Sequence, residues 1–473
     1  MITRPLSRYI DSFETSQPRA SRSPRVTKVA AWVCAPLIAA ALFLSLGSAF
    51  AVNPVYTATP DHPTGVYAPN EKVTWTIDVT GDRSTLTAVP YKVKKDDADV
   101  VTSGTLDLST GPATVSGSRP EPGALQLSIF SMDKTNLLPL GMGGAVIAPE
   151  KMTPARPAPE DFDAFWKSKL AELSAVPVNP VVEKISTEGI KNSEGMELYK
   201  VTLDNIKGSH VHAILAKPAK EGKFPAMLMF NSAGVGPLDK AAVIGQAKAG
   251  WLVLNVGPHD IPVDEPDAYY KELKEQALKN YIYIGKDSRD ECYFLRMFLG
   301  CVRGAEYLAS RPDWNGSVLV ATGASQGGLQ TFAAASLYPK ITCAMTMVPA
   351  GCDVYGPLAT PPRCGSWPYW LVNWAQQGKD PEKIKQTAGY FDSIYFASRL
   401  HCPSLVAVAL LDTAACPAGV IAAYNGITAP KKLITMPMSN HYGAGSGGVY
   451  FTEFLKWKDA LQKGQPLPVT TKE

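Results

Sequence analysis

Gly323-Ala324-Ser325-Gln326-Gly327-Gly328 stands just after the apolar run Val318-Leu319-Val320-Ala321 and just before the helix-compatible Leu329-Gln330-Thr331-Phe332-Ala333-Ala334-Ala335. A β-branched run, then Gly-x-Ser-x-Gly, then a helical segment is the sequence form of a nucleophile elbow. A serine hydroxyl is a weak nucleophile at neutral pH, so it must be raised on a tight strand-to-helix turn where a base reaches Oγ from one side and substrate from the other. Gly323 and Gly327 leave room for that turn, since side chains there would strike the neighbouring backbone. The N–H of Gln326, first in the helix, is then aimed at the oxygen of a carbonyl under attack.

The remaining members of such a site follow in order. Pro403 to Leu411 reads as a buried strand ending at Asp412. Lys432 to Met438 reads as another strand, followed by the polar turn Ser439-Asn440-His441. Serine, then acid, then histidine, with both partners just past strand ends, is the chain order of α/β-hydrolases. His441 is expected to exchange the Ser325 proton, and Asp412 to fix the imidazole tautomer. His259-Asp260, past the strand Trp251 to Val256, is the competing pair. Chain order argues against it, as do the opposing directions of adjacent residues at a strand end, so His259 is expected to shape the substrate pocket.

The 473 residues exceed one ordinary domain, and 45% hydrophobic content supplies a large core. Residues 1–51 have the pattern of a signal peptide: basic Arg4 to Lys28, apolar Val29 to Leu46, then Ala49-Phe50-Ala51 at the cleavage position. This predicts a periplasmic or secreted protein with no stable membrane insertion after cleavage; an uncleaved anchor is the rival reading. Residues 1–51 carry six basic and two acidic groups, so the formal charge of +3 falls to about −1 on their removal. That balance gives no electrostatic case for nucleic-acid binding.

Seven cysteines follow the signal segment, an odd number that leaves at least one unpaired within the chain. Cys352 and Cys364 flank a proline-rich loop and are the candidate disulfide, whereas Cys292 and Cys301 fall in a helical pattern as buried apolar residues. No Cys-x-x-Cys or Cys/His cluster calls for zinc. His210 and His212 share one face of a strand, but no third ligand is evident from the sequence, so neither metal nor cofactor is expected.

The chain divides near residue 150. Residues 52–148 carry short alternating strands between turn residues, among them Lys72 to Val79 and Leu125 to Ile129, which predicts an immunoglobulin-like β-sandwich. A proline-rich linker, 149–158, leads to a catalytic domain over 159–473. There, strands alternate with helical segments such as Lys240 to Ala249 and Glu291 to Ser310, giving an α/β fold with a mostly parallel sheet covered on both faces. The segment near 351–400 is too long for a simple connection and is rich in aromatic residues. It reads as a cap in which the faces of Trp367, Tyr369, Trp370 and Trp374 are candidates to stack on sugar rings, with Trp367 and Trp370 as the pocket candidates.

From about Pro157 to Gly464 the chain resembles the acetyl xylan esterase and cephalosporin C deacetylase family of α/β-hydrolases. The resemblance rests on Asp161-Phe162-Asp163-Ala164-Phe165-Trp166, the Gly-x-Ser-Gln-Gly-Gly elbow, Asp412 with Cys416-Pro417, and Ala422-Ala423-Tyr424-Asn425. It implies Ser325, Asp412 and His441 as the triad, with the backbone N–H groups of Ala233 and Gln326 as the oxyanion hole. It implies an esterase that removes acetyl groups from a polysaccharide or oligosaccharide, xylan foremost, with no cofactor. An esterase for bulkier acyl groups such as feruloyl, and a catalytically silent glycan-binding relative, are the alternatives. Homo-oligomer formation is left open. The family's glycine-tyrosine oxyanion segment corresponds here to Ser232-Ala233-Gly234, its Arg-Gly-Gln to Gly257-Pro258-His259, and its His-Glu to His441-Tyr442. The first two departures bear on pocket shape more than on mechanism.

Overall fold

The computed structural model describes residues 55–131, 139–372, 380–443 and 447–469. Residues 1–51, expected to be a signal peptide, and Trp374 lie outside them. Eight strands come first: β1 (Val55–Pro60), β2 (Val66–Tyr67), β3 (Val73–Thr80), β4 (Val89–Lys95), β5 (Asp99–Leu106), β6 (Ala113–Gly117), β7 (Gly123–Ile129) and β8 (Gly141–Ile147). They form two sheets, of order β1-β3-β6 and β2-β8-β7-β4-β5. Period-2 alternation in β3 sends Val73, Trp75, Ile77 and Val79 into a core shared with Val93, Leu125 and Leu127 of the other sheet.

Strand β7 is buried along its whole length, on both faces. Its second face is covered by the α/β region: Gln126 Nε2 donates to the Leu410 carbonyl at 3.1 Å. Beside it, the Gly144 N–H donates to Pro437 O at 2.9 Å. A side chain at Gly144 has no room, since its Cβ would lie 2.6 Å from Leu410 Cβ. The five-stranded sheet therefore braces the strand ends that lead to Asp412 and His441.

The α/β region runs α1 (Phe162–Ser174), β9 (Val181–Ile185), β10 (Met196–Asp204), β11 (His210–Pro218), β12 (Phe224–Phe230), α2 (Lys240–Lys248), β13 (Leu252–Val256), α3 (Asp267–Glu275), α4 (Tyr293–Ser310), β14 (Trp314–Ala324), α5 (Gln326–Leu337), β15 (Cys343–Met347), α6 (Pro381–Phe391), α7 (Ser393–Ala397), β16 (Ser404–Ala409), α8 (Pro417–Gly426), β17 (Lys431–Met436) and α9 (Gly448–Lys463). Nine strands make one sheet of order β17-β16-β15-β14-β12-β13-β11-β10-β9. From β13 to β17 the pairing is parallel, whereas β9, β10 and β11 add antiparallel. Every residue of β13 and β16 is buried, so both faces of the parallel part are covered. Strands β13 and β14 lie on opposite sides of β12, which places a topological switch point at its carboxyl end, the preferred ligand position of an open α/β sheet.

In the segment after β15, Trp370 is not placed as expected. Trp370 is 2% exposed, packs on Phe294 at 5.3 Å between ring centroids, and donates its indole N–H to Ile282 O at 2.6 Å. It is a core residue and has no face to offer a sugar. Trp367 is half-buried with its ring stacked on Phe294. The expected Cys352–Cys364 bond is also corrected. Cys364 pairs with Cys416, whose Cα is 6.1 Å away, while Cys352 is buried with its thiol against Pro349 O. Among the described residues, no helix is long and apolar enough to cross a membrane.

Candidate active site

Ser325 occupies the turn between β14 and α5 with φ 58° and ψ −121°, a left-handed conformation that costs a non-glycine residue roughly 1–3 kcal/mol. The surroundings over-determine it. Its N–H donates to Met347 O at 3.2 Å, and its carbonyl accepts from the N–H groups of Gly328, Leu329 and Ala350 at 2.9–3.1 Å. A Cβ on Gly323 would meet Gly327 O at 2.5 Å, and one on Gly327 would meet the Phe230 carbonyl closer still. The two glycines thus admit both the turn and the close passage of the strand β12 end.

His441 closes the arrangement. Its Nε2 lies 2.8 Å from Ser325 Oγ and its Nδ1 2.7 Å from Asp412 Oδ2. Asp412 is fully buried, and its Oδ1 accepts the N–H groups of Ala414 and Ala415, each at 2.8 Å. A carboxylate already accepting backbone donors takes Nδ1–H as its third, which leaves Nε2 free to accept the serine proton. The loop carrying Asp412 is tied to the segment after β15. Trp367 N–H donates to Ala414 O at 2.8 Å, and the Cys364–Cys416 disulfide lies alongside.

Gln326 is the first residue of α5, so its N–H has no intrahelical acceptor. The segment 231–236 after β12 runs beside it: Ser232 Oγ donates to Ala324 O at 3.2 Å. A cavity of about 190 Å³ is lined there by Asn231, Ser232, Gly234, Pro237, Leu238 and Pro258. A larger cleft of about 510 Å³, near Arg156, Tyr355 and Tyr390, contains no residue of the Ser325–His441–Asp412 chain.

His259 does not line this cavity. It is 3% exposed, and its Nε2 lies 2.8 Å from Gly234 O while its Nδ1 lies 2.8 Å from Tyr293 Oη. Burial, with the nearby Arg296 charge, pushes the imidazole down to about 4 against the Gly234 hydrogen bond, so the ring is neutral at pH 7. A carbonyl only accepts, so Nε2 carries the proton and Nδ1 accepts from the tyrosine. His259 therefore holds the loop after β12 from behind. Tyr281, packed edge-on against His259 at 4.7 Å, donates to the Gln326 side chain. Tyr281, between α3 and α4, and Tyr293, the first residue of α4, carry no motif that sequence alone would single out.

One sequence expectation is overturned at the far side of the same sheet edge. His210 and His212 do have a third neighbour in Asp260, with one donor atom from each within 4.8 Å of the others. The third group comes from the turn after β13, which antiparallel register brings beside β11.

Residues 149–461 match the acetyl xylan esterase (AXE1) family. The chain belongs to the acetyl xylan esterase family. Membership makes it a carboxylic ester hydrolase with the α/β-hydrolase fold. It is 29% identical over 410 residues to an acetyl esterase of Xylanibacter ruminicola, covering 84% of this chain and 90% of that protein. The acetyl xylan esterase 1 structure from a Thermoanaerobacterium species superposes with a TM-score of 0.57 at 24% identity, over 65% of this chain and 96% of that one. The acetyl xylan esterase of Paenibacillus sp. R4 gives 0.56 at 22%, over 65% and 97%. At those identities the two structures speak for the fold, and the family match carries the class of reaction.

Proposed function

We propose that this family member is an exported serine esterase that removes acetyl groups from the hydroxyls of a plant polysaccharide, xylan first among them. The observation that carries the reading is the continuous hydrogen-bonded chain Ser325 Oγ, His441, Asp412. His441 Nε2 takes the hydroxyl proton as Ser325 Oγ attacks the acetyl carbonyl. The developing oxyanion is held by the N–H groups of Ala233 and Gln326. As the ester C–O bond breaks, His441 returns the proton to the sugar oxygen, leaving acetyl-Ser325. Water then attacks the acetyl carbon as His441 takes its proton, the bond to Ser325 Oγ breaks as His441 returns that proton to the serine, and acetate departs. Asp412 stabilises the imidazolium in both halves.

Export is supported by the basic, apolar and small-residue order of residues 1–51, and the Cys364–Cys416 disulfide suits an oxidising compartment. For the β-region we propose an immunoglobulin-like relationship. Its support is the division into β1-β3-β6 and β2-β8-β7-β4-β5, with an edge strand added parallel to the last. Acetate released from acetylated xylan, pectin and mannan, compared side by side, tests the substrate. Release from xylan at a kcat/KM at least about tenfold above the other two is expected, and a preference for pectin or mannan would reject the xylan assignment.

A further inference from the structure

We propose that His210, His212 and Asp260 form a binding site for one divalent transition-metal ion, zinc(II) being the best fit, which fastens β11 to the turn after β13. The site uses no residue of the Ser325 machinery. It lies on the same sheet edge, three strands from β14, roughly 14 Å away at the usual strand spacing.

The two histidines are i and i+2 on β11 and share one face of the strand. Gly257 N–H donates to His212 O at 2.8 Å, which seats the turn so that Asp260 points at both rings. Asp260 Oδ1 is the common focus, 3.2 Å from His212 Nε2 and 3.7 Å from His210 Nδ1. Donor atoms around a tetrahedral zinc with bonds of 2.0–2.1 Å stand roughly 3.3 Å apart, so small rotations of these partly exposed side chains suffice. Two imidazoles and one carboxylate with a position left to solvent suit zinc or cobalt(II) and not the harder magnesium.

The second nitrogen of each ring is what separates a built site from a chance surface ion pair. Across the β10/β11 ladder, Asp204 stands directly opposite His210 and Thr202 directly opposite His212. Asp204 Oδ1 lies 3.7 Å from His210 Nε2, and Thr202 Oγ1 lies 3.4 Å from His212 Nδ1. His212 thus turns one nitrogen to Asp260 and holds a hydrogen-bond partner, Thr202, on the other, the arrangement that orients metal-bound histidines, while Asp204 stands as an ion-pair neighbour of the second nitrogen of His210.

Titration of the full, untagged, chelator-treated chain with zinc, cobalt(II) and magnesium tests this. Expected are one zinc per chain with a Kd of about 1 µM or tighter, the visible bands of tetrahedral cobalt(II), no magnesium binding, and a melting temperature raised by about 2 °C or more with zinc. His212→Ala and Asp260→Asn should each weaken zinc at least about tenfold, and Asp204→Asn by about tenfold. Metal-free variants must melt as metal-free wild type does; should one fail, the more exposed His210→Gln replaces it. Zinc bound no tighter than about 100 µM, or stoichiometric binding that none of these substitutions changes, overturns the proposal.

Discussion

The Nε2–H of His259 donates to the carbonyl of Gly234 at 2.8 Å, so a buried, neutral imidazole from the turn after β13 sets the loop in which the proposed oxyanion donor Ala233 lies. His259→Leu would leave Gly234 O and Tyr293 Oη without their partner, a loss of about 1–3 kcal/mol for buried polar groups. A donor displaced by about an ångström costs up to about a hundredfold. His259→Leu is therefore expected to lower kcat roughly 10–100-fold with KM changed less than about threefold. His259→Gln, which keeps a donor, should recover part of the loss. Steady-state kinetics on an aryl acetate decide it; unchanged kcat in both variants would mean that the loop holds its position unaided.

Gly144 and Leu410 meet too closely for a side chain. Gly144→Val should force the N-terminal sheet away from the strand end two residues before Asp412. A cost of about 1–3 kcal/mol is typical of overpacking. Denaturant unfolding should show that loss together with a lower kcat, whereas Gly111→Ala, with nothing within 4 Å of its Cβ, should change neither. Equal behaviour of the two variants would detach the β-region from the site.

The juxtaposition of Ser325, His441 and Asp412 is legible because each follows a strand whose own apolar run announces it: Val318 to Ala321 before Ser325, Pro403 to Leu411 before Asp412, Lys432 to Met438 before His441. What stayed hidden depends on non-local register. Asp260 reaches His210 and His212 only through the β11/β13 pairing, and Cys416 reaches Cys364 only once α8 is in place. Trp370 is not decided by sequence because a large aromatic side chain suits a core and a sugar platform equally well, and only its burial separates the two. Strand β9 offered no pattern at all: nearly all of Val181–Ile185 is exposed, so apolar and polar residues do not alternate there.

The Cys364–Cys416 bond closes a separation of 52 residues. In the chain-entropy account a loop of that length is worth about 4 kcal/mol, with about 2–4 kcal/mol usual in practice. Cys416→Ser should lower unfolding stability by that order under non-reducing conditions, and added reductant should then destabilise wild type but not the variant. Equal sensitivity of both to reductant would contradict the pairing.

Arg311 grips Asp313 through two hydrogen bonds, at 2.8 and 2.6 Å, in the turn that launches β14. Burial works against ionisation of Asp313, but Arg311 and Lys217 outweigh it and hold the carboxyl below its usual range. For a depressed carboxylate the folded state binds fewer protons than the unfolded one. Its contribution is therefore present above about pH 4 and lost as pH falls through the lowered value. Acid titrations of stability should show wild type losing more than Arg311→Met over that range; parallel curves would mean that the pair adds nothing.

A rapid-quench experiment with an aryl acetate, followed by mass analysis of the peptide holding Ser325, tests for the acyl-enzyme itself. A burst of about one aryl alcohol per chain is expected wherever deacylation limits turnover, with one acetyl group on Ser325. Trapping the intermediate at low temperature or with a slowly hydrolysed ester covers the opposite case. Ser325→Ala should lose roughly 10⁴-fold or more in kcat, and His441→Gln at least about a thousandfold. Acetate release by Ser325→Ala within about tenfold of wild type, with no acetyl group recovered on Ser325 in the wild-type protein, would contradict it.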